Sequence, residues 1–431
     1  MDSQIVVPIT LLLMLTLLLG GAWIFVAIGG SAVLGLIMLG DISKLAAAVA
    51  WGAANSWTLS AVPLFVLMGE IIFHSGLSNP LYHTISLWLR RLPGGLLHTN
   101  VAASALFASI SGSTIATCAT VGTMAIPEQR KRGYDEKLIL GSVAAAGSLG
   151  VLIPPSINMI LYASWVDVSL GKLFAGGILP GIMMSILFMA YIGFACWRNP
   201  SLAPAREQRA SLLQRLASLK GVIPFLIIAI IIWGGIFTGW MTPTEAAGVS
   251  AFAALVMAAV TRRLTRQVIK DAFLGTVRIT CMTMATYIGA TLLVTLVGYT
   301  GVTKVLVNQI EALHLGKMAT LFAIYGIYIV LGCFLDGIAL MLVTIPFIVP
   351  ILTYHGIDLI WFGVTLILLM EMSFLTPPVG INLFVVAGIA NTDMSKVVRG
   401  IVPFFVMLFI GIVIVTFVPD VVMLLPNAMA K

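Results

Sequence analysis

Two Pro-Pro pairs interrupt hydrophobic stretches in matching surroundings, LIPPSINMILYA at 152–163 and LTPPVGINLFVVA at 375–387. Pro154 and Pro377 lie 223 residues apart, and so do Pro180 and Pro403, which marks an internal duplication. A proline has no amide hydrogen and clashes with the turn before it, so two in tandem stop a helix and free its last carbonyls. Upstream of each pair an apolar stretch carries a small polar interruption, Ser111-Gly112-Ser113 in one copy and Leu335-Asp336-Gly337 in the other. Hydroxyls facing freed carbonyls are the oxygens a hard cation takes. Asn158 and Asn382 fall where each broken helix resumes, and the free amides of a helix start suit a carboxylate. The polar groups offered to a substrate are thus Ser113, Asn158, Asp336 and Asn382. Asp336 would repel a carboxylate, but it could accept hydroxyl hydrogens, bind a cation or carry a proton. Simpler readings also stand: Ser-Gly-Ser permits close helix packing, and both asparagines could be helix caps.

The elements that must hold these residues lie in a membrane. Of 431 residues, 60% are hydrophobic and 9% charged, with a mean hydropathy of +1.11. Broken helices in a bilayer are tolerated only where the exposed backbone is buried in protein or lines a cavity, and a duplicated pair points to a transporter's binding site. Apolar runs of about 17 to 25 residues predict helices near 5–20, 22–39, 60–77, 138–166, 173–197, 221–239, 244–262, 276–299, 358–389 and 400–424. The first has Asp2 before it and no Lys or Arg before Lys44, so it reads as a retained span rather than a signal peptide. Residues 95–128 and 317–352 divide into halves of about 16 residues, which predicts hairpins that enter the membrane and return.

Charge gives their direction. Arg90, Arg91, Arg130, Lys131, Arg132 and Lys137 flank the first hairpin, which therefore opens to the cytoplasm, while the second has only Lys304 and Lys317 before it. Carried through, this topology puts 17 basic residues inside and 5 outside, with Arg278 within a helix and snorkelling. The two halves would be inverted repeats. The expected organisation is N-terminal scaffold helices at 1–59, a first repeat at 60–197 with its broken helix at 138–166, a basic cytoplasmic linker at 198–220, central scaffold helices at 221–284, and a second repeat at 285–424 with its broken helix at 358–389. Segments 79–92 and 302–315 suit interfacial arms, and 206–219 a short amphipathic helix. Trp51, Trp57, Trp165, Trp233 and Trp240 read as an interfacial belt.

The net charge of +7 reports this topology and argues for no nucleic-acid partner. Cys118, Cys196, Cys281 and Cys333 stand singly and read as inert thiols. No GxxxxGK[ST] loop is present, so the chain does not itself use ATP. Thr242-Pro243-Thr244-Glu245 has the form of a capped helix start. Glu70 and Glu371 are intramembrane carboxyls suited either to proton coupling or to structural bonds.

The runs SGSTIATCATVGTMAIPEQRKRGYD (111–135), GSVAAAGSLGVLIPPSI (141–157), MTPTEAAG (241–248) and FLTPPVGINLFV (374–385) resemble the large membrane subunit of the tripartite ATP-independent periplasmic (TRAP) transporters, over essentially the whole chain. That resemblance implies an all-α polytopic fold in the bacterial inner membrane, with a transport domain of two hairpins and two broken helices sliding past a scaffold as an elevator. It implies sodium as the coupling ion, a small four-helix membrane subunit, and a periplasmic binding protein that delivers an organic acid anion such as sialic acid or a C4-dicarboxylate. With no four-helix extension at its amino end, the chain is expected to meet the small subunit as a separate polypeptide. Residue by residue, the family's first sodium site maps onto Ser111 and Ser113 with the carbonyls of Gly150, Ile153 and Pro155. The second maps onto Gly332 or Gly337 with Ser373 and Thr376, where the tip lacks serines.

Other classes remain to be weighed. An intramembrane hydrolase would pair Ser111 or Ser113 with His98, or Asp336 with Glu371. An ion channel would need a continuous polar path. A sodium/dicarboxylate carrier of similar architecture would work without a binding protein.

Overall fold

The computed structural model describes residues 3–40, 43–204, 211–302, 305, 307–309 and 314–429. Among these all regular structure is helical, and six helices are long and apolar enough to cross a membrane, or up to eight if each of two bent pairs is one span.

The chain opens with α1 (Ser3–Leu19), then a π-helical turn at Val26–Gly30 that runs into α2 (Ser31–Leu39), followed by α3 (Ser43–Ala54) and α4 (Ala61–His74). No expected span covers α3. It meets the helix leading into α4 at a 53° bend across residues 55–57. Next comes α5 (Asn79–Leu89), the expected arm, with Leu81, Tyr82, Thr84 and Ile85 buried and Trp88 exposed.

The first hairpin and the first broken helix follow. Helices α6 (Leu96–Ser111) and α7 (Thr114–Lys131) are 16 and 18 residues long and meet at Gly112, whose φ of 60° is the left-handed conformation that glycine tolerates. Helix α8 (Glu136–Leu152) stops at Pro154-Pro155 and resumes as α9 (Ile157–Val166), and α10 (Leu170–Arg198) follows. In the linker, α11 (Leu212–Ser218) starts at a capping box of Ser211 and Gln214, and residues 206–210 of the expected amphipathic helix, with Arg206 and Arg209, lie outside the described residues. Helix α12 (Ile223–Ala229) passes through a π-helical turn into α13 (Gly235–Phe237). Helix α14 (Pro243–Val260) begins at the capping box of Thr242 and Glu245 that MTPTEAAG predicts, and α15 (Arg266–Thr300) runs 35 residues. Part of the second arm, with Lys304 and Glu311, lies outside the described residues.

The second copy repeats the element order. Helices α16 (Lys317–Gly332) and α17 (Gly337–Tyr354) are again 16 and 18 residues, α18 (Leu359–Ser373) breaks at Pro377-Pro378 before α19 (Ile381–Ala390), and α20 (Met394–Phe417) mirrors α10. A short α21 (Asp420–Ala428), not expected as a separate element, packs on α10.

Burial separates centre from periphery. The apolar window of Glu136–Val166 is 94% buried, against 33% for Pro243–Val260. Helix α8 packs between α6 and α7 of its own copy and α20 of the other, while α4 lies against α14 and α15. Glycines set the closest approaches: a Cβ on Gly141 would run into the carbonyl of Gly400, and Gly29 lies against Gly289 where α15 crosses the first π-helical turn. Small residues allow such backbone contact between membrane helices. Trp51, Trp57 and Trp240 are exposed as a belt requires, whereas Trp165 packs edge-on against Tyr287 and Trp233 stacks on Phe237.

Candidate functional site

The first hairpin tip rests on the first helix break. Gly112 lies so close to the Pro155 carbonyl that a Cβ would sit 2.8 Å from its oxygen, and a Cβ on Gly150 would sit 2.6 Å from the Ser113 carbonyl oxygen. Ser111 Oγ is 2.9 Å from Thr117 Oγ1 and 3.4 Å from the Ser113 carbonyl, to which Thr117 Oγ1 donates at 2.7 Å. Pro154 and Pro155 remove the amides that would otherwise reach the carbonyls of Gly150 and Val151 four residues back. Ile153 ends α8 in an extended conformation. The structure therefore brings the oxygens of Ser111 and Ser113 against the break at Gly150 and Pro155, while the side chain of Ile153 packs on Gly181 of α10. Thr117 joins them, a residue that the Ser-Gly-Ser pattern alone does not single out although it stands one helical turn after Ser113.

The second tip meets its break differently. Gly332 packs on Ser373, where an added Cβ would lie 2.9 Å from the serine Cβ, and the Val379 amide donates to the Cys333 carbonyl at 3.2 Å. Gly337 faces the Phe374 ring and Met370 instead, so Gly332 is the tip glycine that reaches Ser373. The hydroxyls of Ser373 and Thr376 donate back to the carbonyls of Met370 and Met372, both at 2.6 Å, and the backbone N–H of Asn382 donates to the Phe374 carbonyl. Asp336 caps α17, its Oδ1 accepting from the Ala339 amide at 3.2 Å.

Between the tips is a cavity of about 360 Å³. Ser113, Asn158 and Asp336 line it together, with Thr114, Val151, Ile157, Ile338, Phe374 and Ile381 from the same two copies. Its opposite wall comes from α4 and α15, through Glu70, Phe73, Ile279, Met282 and Thr283. Helix α9 starts at this cavity behind a Ser156 cap, and Asn158 is 3% exposed with no hydrogen-bond partner for its Nδ2. Glu70 is held over Gly275, its Oε2 3.2 Å from His74 Nε2.

Asn382 is placed elsewhere. It is fully buried, accepting from Thr114 Oγ1 at 2.8 Å and donating to the Ala144 carbonyl at 3.1 Å, so it ties the second break to the first hairpin and α8. Tyr162 donates to the Leu359 carbonyl at 2.7 Å, and Arg130 Nη1 to the Ala390 carbonyl at 2.7 Å. At its far end α9 carries Ser164, whose hydroxyl lies 3.3 Å from that of Ser56 and 3.2 Å from that of Tyr287. Glu371 is fully buried beside the Ser148 hydroxyl and does not line the cavity. No hydrolase pair forms: His98 bonds the Pro93 carbonyl at the other end of α6 from Ser111, about 20 Å along the helix, and Asp336 and Glu371 face different surroundings.

Comparison with known proteins gives this arrangement its context. Residues 10–421 match the family model described as the tripartite ATP-independent periplasmic transporter, DctM component. The chain is 34% identical to the C4-dicarboxylate TRAP transporter large permease protein DctM of Pseudomonas aeruginosa, over 87% of each chain. It is 32% identical to the sialic acid TRAP transporter large permease protein SiaM of Vibrio cholerae, over 87% of this chain and 88% of that one. With the 2,3-diketo-L-gulonate TRAP transporter large permease protein YiaN of Escherichia coli it shares 31%, over 96% and 98%. Among solved structures, the fold is similar to that of the Alcanivorax borkumensis YdaH transporter, with a TM-score of 0.60 at 16% identity over 89% of each chain. On the family match and these identities, the chain belongs to the DctM component family, the multi-pass large permeases of the tripartite ATP-independent periplasmic transporters.

Proposed function

We propose that this permease carries out sodium-coupled uptake of an organic acid anion across the bacterial inner membrane, receiving it from a periplasmic binding protein and working with a small membrane subunit. The observation that carries the reading is the cavity in which Ser113, Asn158 and Asp336 meet between a hairpin tip from each copy of the duplication. The related permeases, named for C4-dicarboxylate, sialic acid and 2,3-diketo-L-gulonate, make an organic acid the cargo.

Sodium is the coupling ion that the neutral oxygens of Ser111, Ser113, Thr117 and Pro155 suit best, because a hard cation takes hydroxyl and carbonyl oxygen. Gly150 and Ile153 contribute backbone carbonyls to this first site. A second site at Gly332, Ser373 and Thr376 would draw on backbone oxygen, since both hydroxyls donate to their own helix. The repeated element order and opposed flanking charges support inverted repeats, at 60–197 and 285–424, that alternate access as an elevator. Helices α4 and α15 then form the wall past which the tips slide. Two sodium ions with one monovalent anion carry one net charge inward, worth about 2.3 kcal/mol per 100 mV.

The test is uptake of radiolabelled sialic acid and succinate into proteoliposomes under an inward sodium gradient, with the small subunit and binding protein each present or omitted. Accumulation that needs every component and sodium is the expected result. Uptake without the binding protein would make the chain a stand-alone carrier, and currents that ignore it would make it a channel.

A further inference from the structure

Helix α4 meets the first hairpin tip through a glycine and a carboxyl group. A Cβ on Gly69 would lie 3.2 Å from the Ser111 carbonyl oxygen, so the tip rests against the helix backbone. Beside it, Glu70 shares with Ser111 and Ser113 a crevice of about 10 Å³, room for about one water or one small ion. Val66, Ala116, Ile157 and Ile279 line the rest of it with apolar groups. On α15, a Cβ on Gly275 would run into the Glu70 carboxyl, so glycine leaves that carboxyl its space. His74 Nε2 lies 3.2 Å from Oε2, and among the described residues nothing hydrogen-bonds to Oε1. The contact lies toward one membrane face. Glu70 stands four residues, about 6 Å, before the end of α4 at His74. Just beyond, the Gly76 carbonyl accepts from Arg263 in the basic loop 262–270, which the charge pattern assigns to the cytoplasm.

We infer that Glu70 is a side-dependent sodium ligand. Its carboxylate adds a charged oxygen to the neutral ones of Ser111 and Ser113 while the first tip rests on α4, and it is lost to the ion once the tip slides away. The inference rests on the transport reading above and deepens its first sodium site. A hard cation held by hydroxyls and carbonyls gains further from a carboxylate. The gain is larger in a crevice lined by apolar side chains, where little water screens the pair. Sodium is therefore bound more tightly by the cytoplasm-facing protein than by the outward-facing one. The consequence is a brake on uptake: sodium that accumulates in the cytoplasm reoccupies the tip, favours its contact with α4 and slows the return for the next load.

The experiment measures initial uptake of radiolabelled succinate or sialic acid at clamped voltage into proteoliposomes that carry the chain and its small subunit. Binding protein is supplied only outside, so the molecules read are those whose periplasmic face points outward, and luminal sodium meets their cytoplasmic face. Glu70→Gln removes the charge and keeps an acceptor for His74. It should raise the luminal sodium that half-inhibits uptake by about tenfold, while the external sodium for half-maximal uptake shifts by less than about twofold. Glu70→Asp, which restores a carboxylate on a shorter arm, should fall between Glu70→Gln and the unaltered protein. Equal shifts on both faces, or a shift on neither, overturn the inference while sodium-driven uptake leaves the transport reading standing. If sodium drives no uptake, the transport reading falls and the site is read alone, from the sodium that half-saturates thermal stabilisation of the full chain in lipid nanodiscs. An increase of about tenfold in Glu70→Gln upholds the ligand there, and an unchanged value overturns it.

Discussion

At the scale of single residues, two side chains from the same sequence pattern have separate tasks. Asn158 and Asn382 follow their Pro-Pro pairs almost identically, yet Asn158 faces the cavity with a free amide while Asn382 is spent on Thr114 and the Ala144 carbonyl. Asn382→Leu should therefore lower stability by about 2 kcal/mol, since it strands a buried hydroxyl and a buried carbonyl, and a thermal melt of the purified protein reads the loss. Asn158→Ala should leave the melt nearly unchanged and weaken substrate binding by about tenfold. Ser111→Ala removes one hydroxyl of the oxygen cluster, so the sodium concentration for half-maximal uptake should rise by about tenfold, with substrate affinity at saturating sodium preserved. The breaks are legible in the sequence because Pro-Pro removes two helix amides wherever it falls, and the interruptions because Ser-Gly-Ser and Leu-Asp-Gly stand as polar or flexible points in apolar runs. Glu70 can be flagged there as an intramembrane carboxyl but cannot be aimed at the cavity. That depends on how α4 meets α15, roughly 200 residues later in the chain, a packing that no local periodicity encodes.

At the scale of elements, the hairpins and broken helices are readable from length and punctuation, and both tips form where expected. The misses have a common cause. Helix α3 is rich in alanine, without the long aliphatic run that marks a span, and α15 extends ten residues before the predicted start because Arg266, Gln267, Lys270 and Asp271 make its first turns polar. Helix formation there follows from a Thr265 cap and tertiary packing rather than hydropathy. Contact between the copies is set by backbone, as the glycine pair on α8 and α20 illustrates. Gly141→Val should cost roughly 3 kcal/mol or more, because the new side chain enters the Gly400 carbonyl and both helices must separate. A clearly lower melting temperature for this variant is the expected outcome, and an unchanged melt would contradict the close backbone contact.

At the scale of the whole molecule, the two copies are one interlocked body. Ser164 attaches the end of α9 to Ser56, at the bend before α4, and to Tyr287 on α15, so this contact must change if the tips slide against those helices. Ser56→Cys with Ser164→Cys, in a background where the exposed Cys281 is serine, places two sulfurs within bonding reach. Oxidation should arrest uptake and reduction should restore it, and uptake that continues at full rate with the bond formed would mean these parts do not move apart. The interlock also bears on how the protein is made. Thr114, Arg130 and Tyr162 bond to residues 268, 260 and 197 positions later. At roughly 5 to 20 residues per second, a ribosome takes roughly 13 to 54 s to reach Asn382 after Thr114. Throughout that interval the first hairpin stands in the bilayer without the partner that completes it, and the membrane insertion machinery must keep the unfinished half apart from its neighbours until the last third of the message has been read.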